Sequence, residues 1–432
     1  MDELRGRFQR LDRITAPNLW NEAVGRAAEM PMPRRWAFSP TMGMLAAALL
    51  LAALAGTVAV GAWLNDRLSP EADARTYENG MMVTSDGCGG LTAIDPTTFR
   101  PRTLLSTADG CPDVYVEPVA WSQDGSRLLY WRAGTGEGEA GEALWIYKSS
   151  TGATRQLDSC PEQDCFLSGG ALSPDGTVVA SYRLFRPPEG SLAALVLMSL
   201  ESGVTTEVPI NGIPEPLLFS PDGRYVAFAQ RGGRSGVYLV DVSRLEDGVA
   251  SEPILIHGIV EATDLAWSPD GEWIAMAQTG GFGHLTDERR EPFNQQISLS
   301  GKGIVIVNTN GTDRRLLAEL PTGTDGGSPL WSADSQSVTY ASWATAGGMG
   351  PDLWTVPIDG GEPTRTFEGG CCVEFHVANP VRSPDGEWIA FAKEVPDDAE
   401  ATGTFLVRPD GSELRRISSD VFQVVWQPIP GE

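Results

Sequence analysis

The chain has 432 residues, 41% of them hydrophobic, with 49 Gly and 31 Pro. That is long enough for a large repeat array and too rich in turn formers for an all-helical protein. The net charge is −25, and residues 1–41 carry seven Arg against five acids, so the acid excess belongs to the remainder. A surface of that sign repels phosphate backbones and argues against nucleic acid as a partner.

In chain order, residues 1–29 show helical periodicity: Leu4, Phe8, Leu11 and Ile14 share one face, and Leu19, Trp20, Ala23, Val24 and Ala27 line a second stripe after the break at Thr15 and Pro17. Helices this short need a partner, a membrane surface or each other to persist. Residues 42–64 are an uncharged apolar run, and about 20 such residues cross a bilayer. A cleaved signal peptide has a shorter apolar core and a shorter leader, so the run reads as an uncleaved anchor. Arg34 and Arg35 precede it, and Asp66, Arg67, Glu71 and Asp73 follow. The positive-inside rule then places residues 1–41 in the cytoplasm, and residues 65–79, a linker, and 80–428 outside.

Six segments of the remainder align: WSQDGSRLLYW from Trp121, LSPDGTVVASY from Leu172, FSPDGRYVAFA from Phe219, WSPDGEWIAMA from Trp267, WSADSQSVTYA from Trp331 and RSPDGEWIAFA from Arg382. Their aspartates recur at intervals of 51, 47, 48, 64 and 51 residues, close to the period of a four-stranded propeller blade. In each unit one strand (A) ends in a tight turn, a second apolar strand (B) follows, and a second hairpin (C and D) completes the blade. Residues 80–104 supply B, C and D strands without an A, and residues 422–427 supply an A without a B. Joined, they make a seventh blade, and the ring has no open edge. The expected fold is therefore all-β, a seven-bladed β-propeller.

This repeat resembles that of the TolB-like, WD-like propeller proteins over about residues 80–428. The resemblance implies the fold and leaves the function open. TolB propellers have six blades, so the blade count departs from that pattern.

Strand alternation puts the A–B and C–D turns on one face and the B–C and D–A connections on the other. The second, loop face collects the long connections, above all residues 279–303. It also collects six cysteines, Cys88, Cys111, Cys160, Cys165, Cys371 and Cys372, and three histidines, His257, His284 and His376. Binding residues gather on loops held by a rigid scaffold, so the candidate binding face comprises His257, His284, Asp287, Arg289, Arg290, Glu374 and His376. Six cysteines on one side of the anchor fit disulfides in an oxidising compartment. Cys88–Cys111 and Cys160–Cys165 are natural local bridges. Cys371 and Cys372 either form a vicinal bond, strained because adjacent Cα atoms are only about 3.8 Å apart, or each join a distant partner.

No His or Cys spacing of a zinc site and no EF-hand run is present, and no cofactor motif beyond GEGEAG at residues 136–141. That stretch leads into a strand and carries two glutamates, so it is read as a plain loop. No G-x-S-x-G elbow is present either. The reading is a non-catalytic extracytoplasmic binding or sensing module, single-pass in the cytoplasmic membrane. It would meet a protein or envelope ligand on its loop face, while residues 1–29 either meet a cytoplasmic partner or serve as a plain topogenic tail. A propeller enzyme acting on an envelope or small-molecule substrate is the alternative.

Overall fold

The computed structural model describes residues 77–87, 89–106, 114–134, 142–159, 165–185, 192–231, 235–258, 262–278, 302–344, 352–368, 380–393, 398, 400–419 and 423–430. The expected cytoplasmic segment, the anchor and the linker up to residue 76 lie outside these residues, whereas residues 77–79, expected as linker, are strand, because they pair with the C-terminal strand that closes the ring. Among the described residues no helix is long and apolar enough to cross a membrane.

Among the described residues, twenty-eight strands form seven four-stranded antiparallel sheets. The first sheet joins both ends of the strand series, in the order β28 (Val424–Pro430), β1 (Tyr77–Ser85), β2 (Leu91–Ile94) and β3 (Pro101–Leu105). Each later blade uses four consecutive strands. Blade 2 runs from β4 (Val114–Trp121) to β7 (Ala153–Ser159), and blade 3 from β8 (Cys165–Leu172) to β11 (Thr205–Ile210). Blade 4 runs from β12 (Ile213–Phe219) to β15 (Ile254–Gly258), and blade 5 from β16 (Ala262–Trp267) to β19 (Arg314–Glu319). Blade 6 runs from β20 (Thr324–Trp331) to β23 (Thr364–Phe367), and blade 7 from β24 (Val381–Arg382) to β27 (Arg415–Ser418). The seven-bladed propeller expected from the repeat is the fold observed, with strands reaching slightly beyond 80–428 at both ends.

The core is divided seven ways. Each hydrophobic cluster lies between two adjacent blades, as in Leu129 and Leu144 of blade 2 against Leu167 and Val179 of blade 3, or Phe228 and Tyr238 of blade 4 against Tyr182 and Leu195 of blade 3. Both faces of a blade are covered by neighbours, so the middle strands are apolar at nearly every residue rather than at alternate ones. In β14 (Gly236–Asp241) and β18 (Gly303–Asn308) every residue but the last is buried. Closing the ring matters for the same reason. Without β28, Met82 and Ile94 of blade 1 would lose Val424 and Trp426, with which they share a cluster against blade 7. Each such side chain contributes about 1.5–3 kcal/mol by burial.

The turns after the A strands have one geometry. Across six blades a serine Oγ donates to the aspartate two residues on at 2.5–2.6 Å, from Ser122 to Asp124 through Ser383 to Asp385. The same Oγ accepts the backbone N–H five residues on, as Ser268 does from Trp273 at 2.9 Å. The aspartate Oδ1 also accepts a backbone N–H, as Asp270 does from Glu272 at 3.0 Å. These bonds hold the hairpin through groups close in the chain, which explains why serine and aspartate recur with the glycine. In blade 6 Ser335 replaces glycine and takes φ +58°, a backbone conformation side chains seldom adopt. Gly125, at φ +65°, has no room for a side chain at all: a Cβ there would stand 2.3 Å from the Pro428 carbonyl oxygen.

Candidate functional site

On the turn face, backbone and side-chain bonds stitch blade to blade. Gln427 Nε2 donates to the Gly125 carbonyl at 2.8 Å, Gln123 N to the Pro174 carbonyl at 2.8 Å, and Asp270 N to Ser335 Oγ at 3.2 Å. Arg382, which stands where the other aligned repeats carry Trp, Phe or Leu, donates to Thr339 Oγ1 at 3.3 Å and to the Gly386 carbonyl at 3.1 Å. Burial holds its guanidinium below the ordinary arginine value. Both ends of the strand series leave on this face, since Tyr77 is paired with Pro430. The turn face has one long connection that the sequence did not mark. Between β14 and β15 a 3-10 turn, Leu245–Asp247, buries Leu245 against blade 3.

The loop face is built from the opposite strand ends. Here lie the outgoing ends of β5 (Arg127–Gly134), β9 (Val178–Phe185), β13 (Tyr225–Arg231), β17 (Trp273–Gln278), β21 (Ser337–Ala344) and β25 (Ile389–Lys393), together with the incoming ends of β4, β8, β12, β16 and β20. Cys88, Cys111, Cys160, Cys371, Cys372, His284, Asp287, Arg289, Arg290, Glu374 and His376 lie outside the described residues, in the stretches of sequence after β1, β3, β7, β17 and β23. The expected bridges lie there too. Cys165 is the first residue of β8, paired with Phe185.

His257 is placed differently from the loop residue the sequence suggests. It is the fourth residue of β15, paired with Val237 and only 5% exposed. Among the described residues its Nε2 has no hydrogen-bond partner. Burial, reinforced by the positive Arg314, pushes the imidazole down to about 4, so it is neutral at ordinary pH. A ring so enclosed presents no surface to a ligand.

The structure brings forward polar groups near the propeller axis that sequence reasoning missed. On the innermost strands, Glu117 of β4 and Glu215 of β12 are half-buried. The Tyr182 hydroxyl of β9 donates to Glu215, and burial together with that carboxylate pushes the phenol well above its usual value. Glu142, exposed on one side, is held by the Leu167 backbone N–H, while partial burial raises its carboxyl. Tyr115 is 48% exposed, yet burial of the rest of the ring and the nearby Glu117 push it up to about 12. Farther out, Arg183 bridges blades 2 and 3, with Nη2 at 2.5 Å from Asp158 and Nη1 at 2.8 Å from Glu207. A signal was present in the sequence. Glu117 and Glu215 each precede a proline near the end of an A strand, in VEPVAW and PEPLLF.

Chemically, these groups can accept hydrogen bonds and attract positive charge. No group of three His, Cys, Asp or Glu among the described residues is placed to hold a metal ion.

No protein-family model matches the sequence, and no curated protein matches it. Solved structures do share its architecture. The puromycin-hydrolysing peptidase of Mycobacterium tuberculosis superposes with a TM-score of 0.51 at 14% identity, over 81% of this chain and 55% of that one. A prolyl endopeptidase gives 0.50 at 13% identity, over 88% and 56%. TolB of Acinetobacter baumannii gives 0.40 at 20% identity, over 66% and 65%. The chain thus spans a little over half of the peptidases and about two thirds of TolB. At these identities the likeness is one of fold alone.

Proposed function

We propose that this chain is a binding or sensing module, anchored in the cytoplasmic membrane by residues 42–64, whose propeller lies outside and engages a protein or envelope ligand through its loop face. The observation that carries the reading is that the loop face gathers the long connections and, beside them, the half-buried carboxylates of the innermost strands. Bonds join blade to blade on both faces, as from Gln427 to Gly125 on the turn face and from Arg183 to Asp158 on the loop face, but rigid strand ends presenting long connections suit recognition. Residues 1–29 would carry the cytoplasmic contact.

The test compares two sets of surface variants against the partner that co-purifies from solubilised membranes. One set changes Asp287, Arg289 and Arg290 on the loop face. The other changes Arg224, Glu272 and Glu387 beside the turns. Binding should fall with the first set and persist with the second, and the reverse result would overturn the assignment.

A second reading, a propeller enzyme, draws on one specific observation. Glu142 has a raised carboxyl, and it and Glu215 both lie close enough to Tyr182 to raise its phenol, and perturbed ionisable groups gathered in one place are what acid–base chemistry uses. Turnover of an envelope or small-molecule substrate that is lost in Glu142→Gln would favour it.

A further inference from the structure

The sequence contains three Asn-Gly pairs, Asn79–Gly80, Asn211–Gly212 and Asn310–Gly311. The bond after asparagine is open to one reaction in each. The glycine amide nitrogen attacks the asparagine side-chain carbonyl carbon, ammonia leaves, and a cyclic succinimide forms. Water then opens the ring at either carbonyl to give aspartate or isoaspartate. Water is the only co-reactant. The reaction needs an amide nitrogen free to act as nucleophile, a side chain free to swing onto it, and a neighbour without a Cβ.

Two of the pairs are held out of this geometry. Asn79 Nδ2 donates to Asp385 Oδ2 at 2.7 Å, and Asn79 Oδ1 accepts from Asp385 N at 3.3 Å. Gly80 lies within β1 and is buried. In the third pair, Gly311 N donates to the Asn308 carbonyl at 2.8 Å. Asn310 Oδ1 accepts from both Thr312 N at 2.8 Å and Thr312 Oγ1 at 2.5 Å.

Asn211–Gly212 has none of these restraints. It is the connection between β11 and β12, on the loop face. Asn211 is exposed, and among the described residues its side chain and the Gly212 amide make no hydrogen bond. Gly212 takes φ +148°, a backbone that favours glycine and leaves its nitrogen unshielded by a side chain. We infer that Asn211–Gly212 is a site of spontaneous deamidation in the folded protein, and that Asn79 and Asn310 are protected from it. The product places a new carboxylate on the loop face between blades 3 and 4, beside the exposed Ile213. The isoaspartyl form also lengthens the connection by one backbone carbon. This inference is independent of the proposed function.

The experiment incubates the full-length protein in detergent in mildly alkaline buffer and follows the three peptides by mass spectrometry, with isoaspartyl methyltransferase labelling as a second readout. Each hydrogen bond that must break should slow cyclisation by roughly fivefold, at about 1 kcal/mol net per bond, so residue 211 should convert at least tenfold faster than 79 or 310. In urea the three rates should converge, because sequence alone then governs them. Asn211→Gln, whose longer side chain closes a ring far more slowly, should remove the labelling of the folded protein. Equal rates in the folded protein, faster conversion at 310, or an inert 211 that reacts only in urea would each overturn the inference.

Discussion

Asn79 and Asp385 meet across the seam where the last blade joins the first, the asparagine amide donating to the carboxylate at 2.7 Å and accepting the aspartate backbone N–H at 3.3 Å. They are 306 residues apart in sequence. The pair fastens the closing blade, built from both ends of the strand series, to the turn that ends strand A of blade 7. Asn79→Ala should lower stability by about 1–2 kcal/mol, read as a shift in denaturant midpoint with unchanged slope. Removing Val424–Pro430 should be far more damaging, because it exposes the edge of β1 and part of the blade 1–7 cluster. A truncated protein that melts like the intact one would contradict the closure.

The serine of the repeated turn should matter in every blade. Ser268 is fully buried, donates to Asp270 and accepts from Trp273 N. Ser268→Ala leaves that N–H without a side-chain acceptor and Asp270 without its nearest donor, at a cost of roughly 1–3 kcal/mol. Ser150→Ala, at an exposed position, should cost under about 0.5 kcal/mol. Equal effects in chemical denaturation would remove the structural role given to the turn serine.

His257 predicts a pH dependence. Its folded value of about 4 lies below the ordinary 6.5, so the unfolded chain takes up the proton first. Above pH 6.5 the residue has no effect. As pH falls from 6.5 toward 4, stability should drop by about 1.4 kcal/mol per unit and then level off after a loss of roughly 3 kcal/mol. His257→Leu cannot take up that proton, so its stability curve should be flatter in this window. Parallel curves for the two proteins would show that the ring gains access to water without unfolding.

The topology and redox expectations share one experiment on spheroplasts. Added protease should degrade the propeller and spare residues 1–41, and thiol labelling should find no free cysteine before reduction and six after it. Protection of the propeller would overturn the membrane arrangement. Labelling of Cys371 and Cys372 without reductant would remove the vicinal bond.

Blade number, blade order and ring closure were all legible in the residue pattern. The turn that marks each blade is made by neighbours in the chain: serine, aspartate and glycine within four residues, followed by an apolar strand. Local hydrogen bonding determines it whatever lies across the blade, so the pattern survives in one dimension. The missing A strand before residue 80 and the unpaired strand at 422–427 were legible for the same reason. An unpaired strand has to find a partner, and only one was available.

The groups near the axis and the state of His257 depended on tertiary structure. Strand alternation shows which side chains share a face, but not which neighbouring blade that face meets. Register shifts complicate even the alternation, as between Pro214 and Leu217 in β12 and between Val237 and Tyr238 in the β14–β15 pair. Tyr182 reaches Glu215 across 33 residues and Arg183 reaches Asp158 across 25, contacts that exist only once blades stack. His257 looked like a loop ligand because it lies near a chain turn. It lies within β15, paired with Val237, and its ring is only 5% exposed, and burial rather than sequence position decides whether an imidazole is available for binding.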